Sequence, residues 1–142
     1  GVSVLSEGSA SFSTSLDQAF GFVIDLNTNE LTWYFYNIKL FHWNDDVEGG
    51  WDARTENFMT YTHPYIFTVN VDLEAEFETK FFAPWDIQFG AGENDDPTAL
   101  VGSATNSGDA VNISNITTSG NYMVTLNISA DYATANYEFV IQ

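Results

Sequence analysis

Trp43, Trp51 and Trp85 stand beside turn-forming residues and outside the alternating runs of this chain, whereas Trp33 sits within a run that reads as a core strand. A tryptophan in a turn-rich setting presents a flat, amphipathic ring. The axial C–H groups of a sugar can stack on it while nearby polar side chains bond the hydroxyls. The competing role for the same rings is to cap the ends of a core, as large aromatics often do. Four tryptophans, seven tyrosines and twelve phenylalanines are more than a 142-residue core demands. Two or more tryptophans exposed together would therefore mark a binding surface.

Other chemistry is easier to exclude. The chain has no G-x-S-x-G, no G-x-x-x-x-G-K-[ST] and no H-E-x-x-H, and His42 and His63 lie far apart with no helix to pair them, which argues against phosphate chemistry and zinc hydrolysis. Paired carboxylates cleave glycosidic bonds, but with twenty acidic residues a pair near any groove is expected by chance. The chain is therefore not expected to be an enzyme. Calcium is the one cofactor worth weighing. Asp45-Asp46-x-Glu48 and Glu93-Asn94-Asp95-Asp96 put hard oxygen ligands in loops, making Asp45, Asp46, Asp95 and Asp96 the candidate metal ligands. Neither run has EF-hand spacing, and acidic turns solvated by water account for them better than a bound ion does.

A net charge of −17 with only three cations, Lys39, Arg54 and Lys80, repels phosphate backbones and anionic headgroups. Nucleic acid and membrane surfaces are therefore excluded as expected partners, while neutral, cationic or metal-bridged ligands stay open. Acidity of this kind also keeps a surface solvated at high concentration or in salt. The absence of cysteine rules out disulfides and thiolate metal sites. No apolar run approaches the ~20 residues of a membrane span, and Gly1-Val2-Ser3 opens no signal pattern. A mature or trimmed segment, from which a signal peptide or lipid anchor has been removed, fits these features.

The elements that must position the aromatics read as strands. Phe20-Gly21-Phe22-Val23-Ile24-Asp25-Leu26-Asn27 is matched by Gly120-Asn121-Tyr122-Met123-Val124-Thr125-Leu126-Asn127, and each copy turns into a second aromatic strand, 31–35 and 135–139. Apolar residues at every second position predict the same antiparallel hairpin twice. Short strands are also expected at 2–5 and 10–13, at 65–73 with Tyr65, Phe67, Val69, Val71 and Leu73 on the buried face, at 77–82 up to Pro84, and at 111–116. Residues 90–109 read as one long polar loop. Many short strands at this spacing predict an all-β fold, an antiparallel β-sandwich of the immunoglobulin-like kind.

From about Asn37 onward the order of motifs resembles a module of the SusE and SusF family of outer-membrane glycan-binding lipoproteins. The matching pieces are Ile38-Lys39-Leu40-Phe41 followed by Asn44-Asp45 and Trp51, then Lys80-Phe81-Phe82, then Trp85 through Gly92, then Asn112-Ile113 and Ser119-Gly120-Asn121-Tyr122, and finally Tyr137-Glu138-Phe139. Asn44-Asp45 stands where the family pattern has Gly-Asp, and the acidic loop before Trp51 is longer than the family turn. The family is built of serial β-sandwich domains, so the first hairpin would match the closing hairpin of a preceding module. Residues 1–35 are too few to bury a core alone. The expectation is therefore one sandwich over 1–142, with a family-like module at 37–142 and 1–35 adding N-terminal strands.

The resemblance implies non-catalytic capture of polysaccharide, starch or another neutral glycan, at the bacterial cell surface. The anchor would be a lipid on a segment outside this sequence, and the partners would be surface proteins of a glycan-uptake complex. It makes Trp51 and Trp85 stacking platforms and Lys80 a donor to sugar hydroxyls; Trp43 joins them through its turn setting. For Lys80 the alternative is a surface lysine paired with Glu78, two positions earlier on the strand. The rival to the whole reading is a structural or adhesive surface module, calcium-stabilised, whose aromatics are core. Exposed tryptophans gathered on one face favour the first; carboxylates converging on one point favour the second.

Overall fold

A computed structural model describes residues 2–4, 20–84 and 87–142. The expected strand at 10–13, as well as Trp85 and Asp86, lie outside them. The chain divides into two compact units, 1–36 and 37–142. In the first, β1 (Val2–Val4), β2 (Phe20–Asp25) and β3 (Glu30–Phe35) form an antiparallel sheet in the order β1-β3-β2.

The second unit holds β4 (Lys39–Trp43), β5 (Thr55–Phe58), β6 (Thr60–Thr62), β7 (Ile66–Leu73), β8 (Glu78–Ala83), β9 (Ile87–Gly90), β10 (Val101–Asn106), β11 (Gly120–Ile128) and β12 (Thr134–Ile141). They join in one antiparallel ladder, β5-β4-β8-β9-β10-β12-β11-β7-β6. The ladder folds over on itself as a barrel-like sandwich. Only Thr105–Gly90 and Asn106–Phe89 pair β9 with β10, so the leaves part there. At the other side, β5 and β6 are one chain segment broken by Met59, whose N–H donates to the Ile38 carbonyl at 2.9 Å. A strand that changes leaf makes the corner of such a sandwich. Between the leaves lie Leu40, Phe67, Phe81, Phe89, Val124, Leu126 and Tyr137, each at most 1% exposed, and the Phe81 ring on β8 meets Phe139 on β12 at 6.3 Å.

The all-β, antiparallel sandwich expected from the sequence is what the second unit builds. Residues 1–35, expected to add N-terminal strands, hold β1 to β3, which pair into a sheet of their own and not with the nine-strand ladder among the described residues. Both end strands of the nine-strand ladder, β5 and β6, belong to the single segment 55–62.

Both repeat copies are hairpins. Phe20 pairs Phe35 and Asp25 pairs Glu30 in one; Tyr122 pairs Ile141 and Ile128 pairs Ala135 in the other. Asn29 and Tyr132 carry the left-handed turn residues, at φ 55° and 58°. Their environments diverge. Tyr122, Val124, Leu126 and Ile128 are buried, whereas Phe22, Ile24 and Leu26 are 52%, 56% and 80% exposed. Trp33 is half-buried beside Phe20.

Elsewhere the sequence reading missed β5, β6, β9 and β10. The last lies inside the stretch read as a loop, because Val101-Gly102-Ser103-Ala104-Thr105 is built of small residues. The packing demands them: a Cβ on Gly102 would lie 2.5 Å from the Tyr137 hydroxyl. The expected strand at 111–116 makes only two isolated bridges, Ala91–Val111 and Thr79–Ile113.

His42 ties the inner face of β4 to the β7–β8 turn. Its Nε2 accepts the Glu74 N–H at 2.9 Å and its Nδ1 meets the Glu78 carbonyl at 3.2 Å, a pairing that needs the neutral ring with its proton on Nδ1. Burial pushes its pKa from 6.5 down to about 4, against a smaller upward pull from the Glu78 carbonyl. The unfolded chain thus takes up this proton as pH falls through 6.5, and the folded chain resists until about 4. Stability tied to His42 is full above 6.5 and falls by about 3 kcal/mol on the way down to the folded value. Urea denaturation at pH 7 and pH 4.5 should show a drop that is clearly smaller in His42→Gln; equal drops in both proteins would disprove the coupling.

Candidate functional site

Side chains alternate across a strand, so burying Leu40 and Phe81, which face each other across β4 and β8, sends their neighbours to the opposite surface. The register then writes the outer surface as rows. One row runs Gln88, Phe82, Lys39, Phe58 from β9 to β5; the next runs Lys80, Phe41, Glu56; a third pairs Glu78 with Trp43. The Phe41 and Phe82 rings stack diagonally at 4.3 Å and 23°.

Trp51 is laid onto this surface by the acidic loop. Asn44 starts the loop as an Asx turn, its Oδ1 accepting the Asp46 N–H at 2.8 Å. Gly49 and Gly50 then take positive φ, 92° and 46°, and the chain enters the 3-10 turn Gly50–Ala53. The Trp51 ring lies 4.8 Å from Trp43, edge to face at 85°, and 5.6 Å from both Phe41 and Phe82. The Arg54 guanidinium sits 4.5 Å over the Trp51 ring and 4.9 Å over Phe41, while donating to Glu56 at 2.7 Å. Stacking an arginine on rings while pairing it with a carboxylate holds the ring cluster in one arrangement.

An open groove of about 420 Å³ lies against this cluster, lined by Trp43, Asp45, Trp51, Lys80, Phe82, Gln88 and Asn112. Three of the predicted residues meet in it. Trp51, at 38% exposed, supplies an accessible ring. Trp43 also lines the groove but is only 3% exposed, its ring set edge to face against Trp51. Trp85 lies outside the described residues.

Lys80 is neither a surface lysine nor held by Glu78. It is 6% exposed, and its Nζ donates to the Ala110 carbonyl at 2.8 Å; Glu78 accepts instead from Asn112 Nδ2 at 2.9 Å. Burial lowers the Lys80 pKa from its ordinary value, and the negative charges of Asp109 and Glu78 oppose that shift. With one of its three protons spent on Ala110, the ammonium keeps donors for the groove. Its stem crosses Gly90, where a Cβ would lie 3.2 Å from Lys80 Cε and clash with the Val111 carbonyl oxygen.

Of the four acids weighed as calcium ligands, Asp45 lines the groove and two others serve their own loops. Asp95 accepts the Gly92 N–H at 3.1 Å, and Asp96 accepts the N–H and hydroxyl of Thr98 at 2.9 and 2.6 Å. The Thr98 hydrogen bonds hold the Asp96 carboxyl below its usual pKa. Asp46 is exposed in the loop before Trp51. Among the described residues no three His, Asp or Glu side chains converge.

Sequence reading missed Phe82, Gln88 and Asn112 as groove residues, and Phe41 and Arg54 as its support. A usable signal was there: Lys39-x-Phe41-x-Trp43 and Glu78-x-Lys80-x-Phe82 alternate as two outward-facing stripes, and all three cations of the chain fall on this one face. Comparison with protein-family models, curated proteins and solved structures finds no match to the chain. The chemistry of the groove therefore rests on its own geometry.

That geometry combines an aromatic floor with a rim of mixed donors and acceptors. Lys80 donates, Asp45 accepts, and the Gln88 and Asn112 carboxamides do both. Lys39 and Arg54 share Glu56, and Lys80 lies in the field of Asp109 and Glu78, so the three cations of a protein of charge −17 are gathered with acidic partners on one face. Gly90→Ala should push the Lys80 stem from its path and press on Val111, destabilising the fold by about 2 kcal/mol. Denaturant titration checks this; an unchanged midpoint would show that the crossing of Lys80 over Gly90 is loose.

Proposed function

We propose that residues 37–142 form a non-catalytic module that binds a neutral polysaccharide through the outer face of β4, β5, β8 and β9. The observation that carries this reading is the convergence of the exposed Trp51 ring, Phe82, Lys80, Gln88, Asn112 and Asp45 on one open groove. A sugar has two kinds of surface, apolar C–H faces and a girdle of hydroxyls. The groove offers a ring surface for the first, and for the second side chains that donate, accept or do both. An uncharged ligand suits this protein, since an anionic chain would meet the field of twenty acids. The sequence resemblance to the SusE and SusF modules supports the same ligand class. It extends the proposal to capture at a bacterial cell surface, beside other proteins of a glycan-uptake complex.

Calorimetric titration against starch, a β-glucan, mannan and xylan tests the reading. Wild type should bind at least one of them saturably. Trp51→Ala should reduce that binding below detection, and Lys80→Met should weaken it about tenfold through the loss of a charged donor. Thermal melts establish that both variants remain folded. Failure of the wild type to bind any of the four would turn the assignment to a structural or adhesive module.

A further inference from the structure

The same outer face carries a second groove, of about 380 Å³, lined by Asn37, Lys39, Phe41, Phe58, Phe82, Ala83 and Pro84. Phe82 lines both grooves, and its ring stacks on Phe41 at 4.3 Å, so the two hollows are separated by a ridge made of rings. The cross-strand row Gln88, Phe82, Lys39, Phe58 passes from one groove into the other.

Phe58 is 57% exposed in the second groove. Its ring is steadied by Lys39, whose Nζ lies 4.7 Å over it and donates to Glu56 at 2.8 Å. A large apolar ring kept at the surface by a lysine that is itself anchored has the character of a second stacking platform. Asn37, Lys39 and Glu56 stand near it as the polar groups that hydroxyls require. Lys39 is paired in this groove with Glu56, the carboxylate that also holds Arg54.

Resting on the glycan-binding reading, we infer that the two grooves are successive subsites of one extended surface, and that its ligand is a linear neutral glycan long enough to stack on Trp51 and Phe58 at once. From β9 to β5 the face spans three strand spacings, about 14 Å, more than one sugar ring covers. Each groove lies near the lower end of the ~300–1,000 Å³ typical of small-molecule sites, so each suits a short stretch of chain. Linking the two contacts through one ligand makes the second effectively intramolecular, and affinity should rise with chain length until both subsites are filled.

The experiment is calorimetric titration of wild type, Phe58→Ala and Trp51→Ala with size ladders of linear α-glucan, β-glucan, mannan and xylan oligosaccharides, from disaccharide to octasaccharide. Phe58 is surface-exposed, and melting curves establish that its replacement leaves the fold intact. With two subsites, wild-type affinity climbs along one ladder. Phe58→Ala then binds the shortest ligands as wild type does but the longest about tenfold more weakly, and Trp51→Ala loses binding at every length. Affinity in Phe58→Ala equal to wild type at all lengths, or lowered equally at all lengths, overturns the second subsite while leaving glycan binding in place. Absence of wild-type binding on all four ladders overturns both.

Discussion

The pairing of β4 with β8 is the constraint on which the rest depends. Leu40 and Phe81, opposite each other and fully buried, are anchored in the core by contacts that a shift of register would forfeit. Because side chains alternate along a strand, the same pairing leaves Lys39, Phe41 and Trp43 beside Glu78, Lys80 and Phe82 on the other surface. A slip of one residue would bury the charges and expose the core. The hydrophobic effect, acting on the inner face, thus fixes which side chains line the candidate groove on the outer one.

Electrostatics shapes that surface by scarcity. Lys39, Arg54 and Lys80 are the chain's only cations, set against twenty acids. Each is used twice. Lys39 and Arg54 lie over aromatic rings while sharing Glu56, and Lys80 is threaded past Gly90 to the Ala110 carbonyl. Cations held in this way order the ring cluster and offset part of the acidity on one face of the molecule. The remaining acids are free to keep the surface solvated or, like Asp95 and Asp96, to cap their own turns.

Much of the fold was legible because β-periodicity is a local signal. Both hairpins, β7 with Phe67 and Leu73 turned inward, and β8 up to Pro84 follow directly from alternation and turn residues. β10 was hidden, since its small residues are chosen to fit beneath Tyr137 and make no pattern of their own. Of the site, Trp51 and Lys80 were readable from residue type and order. The burial of Trp43 was not readable, because a tryptophan beside a turn looks alike in sequence whether its ring faces solvent or is covered by Trp51.

The sequence alone determines that this is an acidic, cysteine-free, all-β chain with a hairpin written twice and more aromatic rings than its core requires. These are properties of composition and short-range periodicity. Which rings are exposed, which lysine is buried and which hairpin is covered were decided only by tertiary structure. Tyr122, Val124 and Leu126 are sealed inside the sandwich, while Phe22, Ile24 and Leu26, on nearly the same pattern, stay exposed. The reason is that exposure depends on what lies across from a side chain. In this fold those neighbours come from strands distant in the chain, brought together by a ladder whose order no local pattern encodes.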